Sequence, residues 1–187
     1  MKAVPTSLPE VLILEPKVFE DERGHFYESW RLDVFRTLGI DIPFVQDNHS
    51  HSKRHVLRGM HFQLGKPQAK LVRVLQGEVF DVAVDVRRGS PRFGQWAGER
   101  LSAENRKQLF VPEGFAHGFL VLSPTAEVLY KVSDFWSRQD ERGIAWNDPM
   151  IGIRWPLDGH TPLLNPRDAV FPSLGAMPDK DLPHFTR

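Results

Sequence analysis

Short apolar runs alternate with Gly, Pro, Asn and Asp turns along this chain, and an apolar period of helical spacing almost nowhere persists. This pattern constrains the fold most, because strands joined by tight turns without helical crossovers make an all-β domain. Strands are expected over residues 11–14, 24–30, 56–63, 70–75, 79–86, 95–101, 108–111, 118–122 and 127–135. Residues 70–75 are too apolar for clean alternation, as in a strand covered on both sides. In residues 79–86, Phe80, Val82, Val84 and Val86 share one face and Asp81, Ala83 and Asp85 the other. Such a strand either lines a polar cavity or has one solvated face. A helix is expected over residues 32–39, where Leu32, Phe35 and Leu38 have helical spacing and Gly39 can stop it. After Asp148 the chain is rich in Pro and Gly. This tail is expected to pack across the strands, with a short helix near Asp168 and a poorly ordered last ten residues. Sandwich, barrel and jelly roll all remain open on spacing alone.

A length of 187 residues fits one domain, or one with appendages, and 41% hydrophobic residues suffice for a sizeable core. Twenty-four basic and 24 acidic side chains cancel, so no global field draws the chain to nucleic acid or a membrane. A local basic pocket for a phosphorylated small molecule remains open. The absence of Cys excludes disulfides and thiolate metal sites and fits a reducing compartment. Residues 1–10 lack the apolar run of a signal peptide, and no segment approaches the roughly 20 apolar residues of a membrane span. A soluble cytoplasmic protein is expected.

The stretch 54–63 (RHVLRGMHFQ) carries more basic and imidazole groups than packing needs; 112–119 (PEGFAHGF) and Leu129-Tyr130-Lys131 follow. A histidine, cationic side chains and a tyrosine on separate strands supply what proton abstraction beside a carbonyl requires: a base, a charge for the enolate oxygen and an acid. Each has a plainer reading too. A strand histidine is more often structural, a tyrosine in an apolar run is usually core, and Arg23 stands in a charged turn. Lys70, if it faces inward, needs an anionic partner, either a substrate oxygen or Asp81 or Asp85. On a flat strand Arg58 and His61 point to opposite faces, so a shared site demands a bulge near Gly59 or strong twist. A basic His61 also needs an orienting carboxylate, for which Asp81, Asp85 and Asp168 all qualify. A metal set of His49, His51, His55, His61 and His117 competes with this reading. Against it, residues 48–55 read as a polar loop in which Lys53 and Arg54 would oppose a cation.

Taken together, FEDERGHFYE (19–28), FVQDNHS (44–50), VLRGMHFQ (56–63), KLVR (70–73), GEVFDVAVDVR (77–87), SPRFGQW (90–96), 101–104, 111–119, LYK (129–131) and WND (146–148) resemble the dTDP-4-dehydrorhamnose 3,5-epimerases over roughly residues 8 to 170. The resemblance implies a cupin jelly-roll barrel or sandwich with a few short helices, forming one domain over 1–187. It also implies a homodimer with N-terminal strands in the interface, a tail from about 170 that is peripheral, and no metal or organic cofactor. The implied reaction inverts C3 and C5 of dTDP-4-dehydro-6-deoxy-D-glucose. His61 is then the base, Asp168 its partner, Tyr130 the acid and Lys70 the holder of the C4 oxygen. A nearby Lys would lower the phenol's pKa from roughly 10. Arg23, Glu28, Gln46, Asp47, Asn48, Arg58 and His117 fall on the nucleotide side, with Glu141 and Arg167. Phe19 and Phe26 would contact thymine, and some of these residues would reach the neighbouring subunit's site. Met60, His25 and Arg167 stand where the family usually has Leu, Phe and Lys. A single-centre epimerase, a metal-dependent cupin and a non-catalytic nucleotide-sugar-binding module are the alternatives.

Overall fold

The computed structural model describes residues 1–185. Its strands are β1 (Lys2–Pro5), β2 (Leu12–Glu15), β3 (Phe19–Asp21), β4 (Gly24–Phe26), β5 (Gln46–Lys53), β6 (Leu57–Gln63), β7 (Lys70–Gln76), β8 (Glu78–Asp85), β9 (Trp96–Ser102), β10 (Gln108–Val111), β11 (Phe115–Val121), β12 (Thr125–Val132) and β13 (Glu141–Gly143). One helix, α1 (Leu32–Thr37), and short 3-10 turns at Asp168–Val170, Leu174–Ala176 and Asp179–Asp181 complete it. A six-stranded sheet runs β1-β2-β10-β7-β12-β5, a five-stranded sheet runs β13-β6-β11-β8-β9, and β3 and β4 form a separate hairpin. Pairing within both sheets is antiparallel.

The two sheets face each other across a core to which both contribute, including Val72, Val74 and Val128 from one and Val79, Ala83 and Phe119 from the other. This is the expected all-β jelly-roll sandwich of cupin type. The outer face of the five-stranded sheet is also buried. Met60, Phe62, Val82, Val84 and Val86 pack there under Ile144, just after β13, and under Ile151, Leu174, Met177 and Leu182 of the tail. On the outside of the six-stranded sheet, Phe35 of α1 and Ile40 cover Leu14, Leu71 and Phe110. The helix ends at Thr37, and Gly39 follows its C-cap at φ +82°, the left-handed conformation that suits glycine there.

β8 is therefore buried on both faces. Its aliphatic side meets the tail, and Asp81 and Asp85 are fully buried, which excludes a solvated face. The tail overturns a second expectation: Leu182 is buried, the Phe185 N–H donates to the Arg88 carbonyl and the Arg88 N–H to that of Pro183, so residues 178–185 are held in place. Thr186 and Arg187 lie outside the described residues. The largest difference is β5. Residues 48–55 read as a loop because both faces of this strand carry polar side chains, yet it pairs with β12 along its whole length. It shows no apolar alternation because its inner side borders a cavity rather than the core.

Candidate active site

His61 lies opposite His117, and Arg58 opposite Phe119, across the β6–β11 ladder. Gly59 and Met60 therefore face only Gly118, a bulge that cancels one step of alternation and turns Arg58 and His61 into one cavity. The bulge needs glycine on both strands. A Cβ at Gly59, where φ is +121°, would lie 2.6 Å from the Gly118 Cα, and one at Gly118 would lie 2.6 Å from the Arg58 carbonyl oxygen.

The cavity measures about 230 Å³. Ser50, Lys70 and Tyr130 line it from the six-stranded sheet; Arg58, His61, His117, Phe119 and Glu141 from the five-stranded sheet; Asn165 and Asp168 from the tail. Of the three carboxylates that could orient His61, the tail's does so: Asp168 Oδ1 lies 2.8 Å from His61 Nε2. Its other oxygen accepts the Gly59 N–H at 3.1 Å, and its own N–H donates to Asn165 Oδ1 at 2.8 Å. Burial alone would raise the Asp168 carboxyl, but the hydrogen bonds from His61 and Gly59 hold it below the usual carboxylate range. An ionised carboxylate only accepts, so Nε2 carries the hydrogen and Nδ1 the lone pair. Phe171 packs edge-on against the ring, with centroids 5.6 Å apart.

His117 lines the same cavity as Arg58 and His61. It is buried and 2.9 Å from Asp81 Oδ1, and burial depresses its pKa in spite of that carboxylate. Asp85 instead accepts from Arg87 and Ser90. Lys70 is buried, with Nζ donating to the His61 carbonyl at 3.2 Å. Burial pushes its pKa down to about 8, partly opposed by Asp81 and Glu141. Burial pushes the Tyr130 phenol up rather than down, and the cation opposing that rise is Arg58, not a lysine. The expected lowering failed because enclosure between two sheets outweighs a neighbouring charge.

The remaining candidates divide. Glu141 lines the cavity and accepts from Arg167 at 2.7 Å and from Trp136 Nε1 at 3.2 Å. Gln46 and Asn48 are hydrogen-bonded to each other at 2.9 Å, beside the cavity but not lining it. Asp47 points outward to Lys131, 3.0 Å away. Arg23, Phe19 and Phe26 belong to the β3–β4 hairpin, where Arg23 pairs with Asp21 and the two rings are exposed; Glu28 pairs with Arg31. None of these four lines the cavity within this chain. Of the rival metal set only His61 and His117 share the cavity: His49 reaches Glu127, and His55 stacks on His160. Among the described residues no group of three or more His, Cys, Asp or Glu side chains is placed to hold a metal ion.

Sequence reasoning missed Ser50, Phe119, Asn165 and the exposed Trp136, whose N–H donates to Gln46 Oε1 at 3.1 Å. The Asn-Pro turn ahead of Asp168 was the available signal for Asn165. Ser50 would have followed from reading Gln46, Asn48, Ser50 and Ser52 as one face of a strand.

A sandwich that sets a carboxylate-backed histidine on one sheet against a buried tyrosine and lysine on the other is the frame of a cupin-type epimerase, an isomerase that works by proton transfer. The comparisons agree. The chain belongs to the dTDP-4-dehydrorhamnose 3,5-epimerase family, whose model matches residues 5–176. It is 57% identical over 169 residues to the dTDP-4-dehydrorhamnose 3,5-epimerase of Pseudomonas aeruginosa, covering 90% of this chain and 93% of that one. It is also similar to the crystal structure of a dTDP-6-deoxy-D-glucose-3,5-epimerase from Legionella pneumophila in complex with dTDP-4-keto-L-rhamnose. That match has a TM-score of 0.96 and 47% identity, over 100% of this chain and 99% of that one. A 3′-monoepimerase from Streptomyces bikiniensis in complex with dTDP-quinovose superimposes with a TM-score of 0.90 at 36% identity, covering 96% and 92%.

Proposed function

We propose that the protein inverts C3 and C5 of dTDP-4-dehydro-6-deoxy-D-glucose to give dTDP-4-dehydro-L-rhamnose. The observation that carries this reading is the placement of His61 and Tyr130 on facing sheets of one cavity. C3 and C5 flank the C4 ketone, so loss of either proton gives an enolate. His61 Nδ1 takes the proton, and Asp168, 2.8 Å from the other ring nitrogen, stabilises the imidazolium. Lys70, with a pKa of about 8, is protonated at neutral pH and holds the C4 oxyanion in a buried setting where its charge acts strongly. Tyr130 returns a proton from the opposite wall and the centre inverts. Its raised pKa keeps the phenol protonated until the enolate forms, and Arg58 offsets part of the resulting phenolate's cost. Solvent then resets both groups. No step is assigned to a metal or an organic cofactor.

Arg58, Glu141 and Arg167 are assigned to the diphosphate and sugar, a reading supported by Arg58 and Glu141 lining the cavity and Arg167 pairing with Glu141. The exposed hairpin of Phe19, Arg23 and Phe26, with Glu28 behind it, is assigned to the site of a second subunit in a homodimer built through the N-terminal strands. Gln46, Asp47 and Asn48 lie on the edge strand beside this opening. A cytoplasmic location accords with a nucleotide-sugar substrate, and among the described residues no helix is long and apolar enough to cross a membrane.

The test is incubation with the ketosugar nucleotide in D₂O without added metal, followed by NMR at C3 and C5. Deuterium at both centres is expected. Deuterium at C3 alone would replace the double epimerase by a single-centre one, the reading that the likeness to the 3′-monoepimerase supports. No exchange would overturn both.

A further inference from the structure

His61 is held by one hydrogen bond through Nε2, and a single bond fixes a point of an imidazole without fixing its plane. The plane decides where Nδ1 aims, and misplacing a reacting group by about 1 Å can cost roughly 10²-fold in rate. A second hold on this ring comes from the tail. Phe171, three residues beyond Asp168, sets its ring at 81° to the imidazole with centroids 5.6 Å apart, the edge-to-face arrangement that aromatic pairs favour.

Phe171 reaches that place because β13 leaves it open. Gly143 stands directly opposite His61 in the β6–β13 ladder, and residues paired in this way send their side chains to the same face. A side chain at position 143 would therefore be the natural neighbour of the imidazole. A Cβ there would clash with the Phe171 ring, 2.6 Å from Cδ2 and closer still to Cε2 and Cζ. Gly143 does not have a positive φ, so its backbone does not demand glycine; the tail's ring does. Arg167 lies over the same ring at 5.7 Å and is itself tied to Glu141 at 2.7 Å. The backbone is pinned as well: the Ala145 N–H donates to the Pro172 carbonyl at 2.8 Å, and the Ile144 N–H to that of Met60 at 3.1 Å. One docked turn of the tail thus delivers both the carboxylate and the ring. Resting on the function proposed above, we infer that Phe171 is a positioning residue that fixes the plane of the His61 imidazole, and that Gly143 is the opening in β13 that admits it.

The test compares the wild type with Phe171→Ala, Gly143→Ala and the double variant. It reads kcat and KM for the ketosugar nucleotide and, in the free protein, the NMR signals of the His61 ring, assigned by their loss in His61→Asn. Phe171→Ala should lower kcat about tenfold or more with KM within about threefold, and should broaden or shift the His61 ring signals. Gly143→Ala should do the same, because its methyl displaces the ring. In the double variant that methyl meets vacated space, so kcat should be no lower than in Phe171→Ala alone, rather than show the product of the two losses. All measurements are made below each variant's melting temperature. Phe171→Leu, which keeps apolar bulk without a ring, takes the place of Phe171→Ala if the latter does not fold. Unchanged His61 ring signals in a folded Phe171 variant overturn the inference. So do multiplicative losses in the double variant, which would give the two residues separate roles. A rise in KM with kcat unchanged also overturns it and makes Phe171 a support for Arg167. Failure of the wild type to exchange either proton would instead overturn the proposed function, while the ring signals of the free protein still decide whether Phe171 holds His61.

Discussion

Two histidines face each other across the β6–β11 ladder, each with a carboxylate, and they differ in what surrounds the pair. The His61 side chain is 29% exposed and Asp168 comes from the tail; the His117 side chain is 6% exposed and Asp81 comes from neighbouring β8. Both are hydrogen-bonded through Nε2, yet only the more open one, backed by an Asp168 carboxyl held below the usual range, is poised to take a proton from a ligand. His117 is held down by burial beside a fully buried Asp81. A His–Asp contact by itself does not make a base; access and the environment of the resulting charge do.

The sharpest break of this comparison is His61→Asn, which should lower deuterium exchange at both C3 and C5 by about 10²–10⁴-fold with little change in stability. Normal exchange at either centre would show that one base does not serve both. Lys70→Met should cost about 10²–10³-fold in kcat. In the wild type, activity should fall as pH rises through about 8 and Lys70 loses its proton, and the variant should lack that limb. Stability moves the other way. The folded-state pKa, about 8, is below the ordinary 10.5, so between those values the unfolded chain binds more protons and the protein gains stability as pH rises. Lys70→Met should accordingly resist denaturant better than wild type at pH 7; a weaker fold would show that the buried ammonium is well compensated.

Asp168→Asn preserves size but removes the ionised acceptor, and should lower kcat by about 10²-fold while thermal unfolding changes little. Smaller in its effect on chemistry, His117→Phe acts mainly on the fold. It removes the hydrogen-bond partner of the buried Asp81, which should cost about 1–3 kcal/mol in a denaturant titration. Equal stability losses for His61→Asn and His117→Phe would dissolve the distinction between the pairs.

Much of the fold was legible because burial on a sheet leaves a period of two in the sequence, as in β8 and β12. β5 escaped because a strand bordering a polar cavity has no apolar face to reveal it. The acid–base residues were legible through a chain of motifs rather than through periodicity. Whether Arg58 and His61 share a face was not legible, since the register shift opposite Gly118 involves β11, whose His117 lies 56 residues from its partner His61 in sequence (117 against 61). Nor could spacing choose among Asp81, Asp85 and Asp168, which differ only in the side chains that the folded sheets bring to each.

The sequence by itself determined the all-β class, the absence of disulfides and the identities of a base, an acid and a cation, because these follow from local pattern and side-chain chemistry. Tertiary structure alone decided which carboxylate backs which histidine, that Tyr130 is raised and Lys70 lowered, and that the base and acid stand on opposite walls. Those outcomes depend on burial and on contacts between residues far apart in the chain, and both exist only once the two sheets and the tail have closed around the cavity.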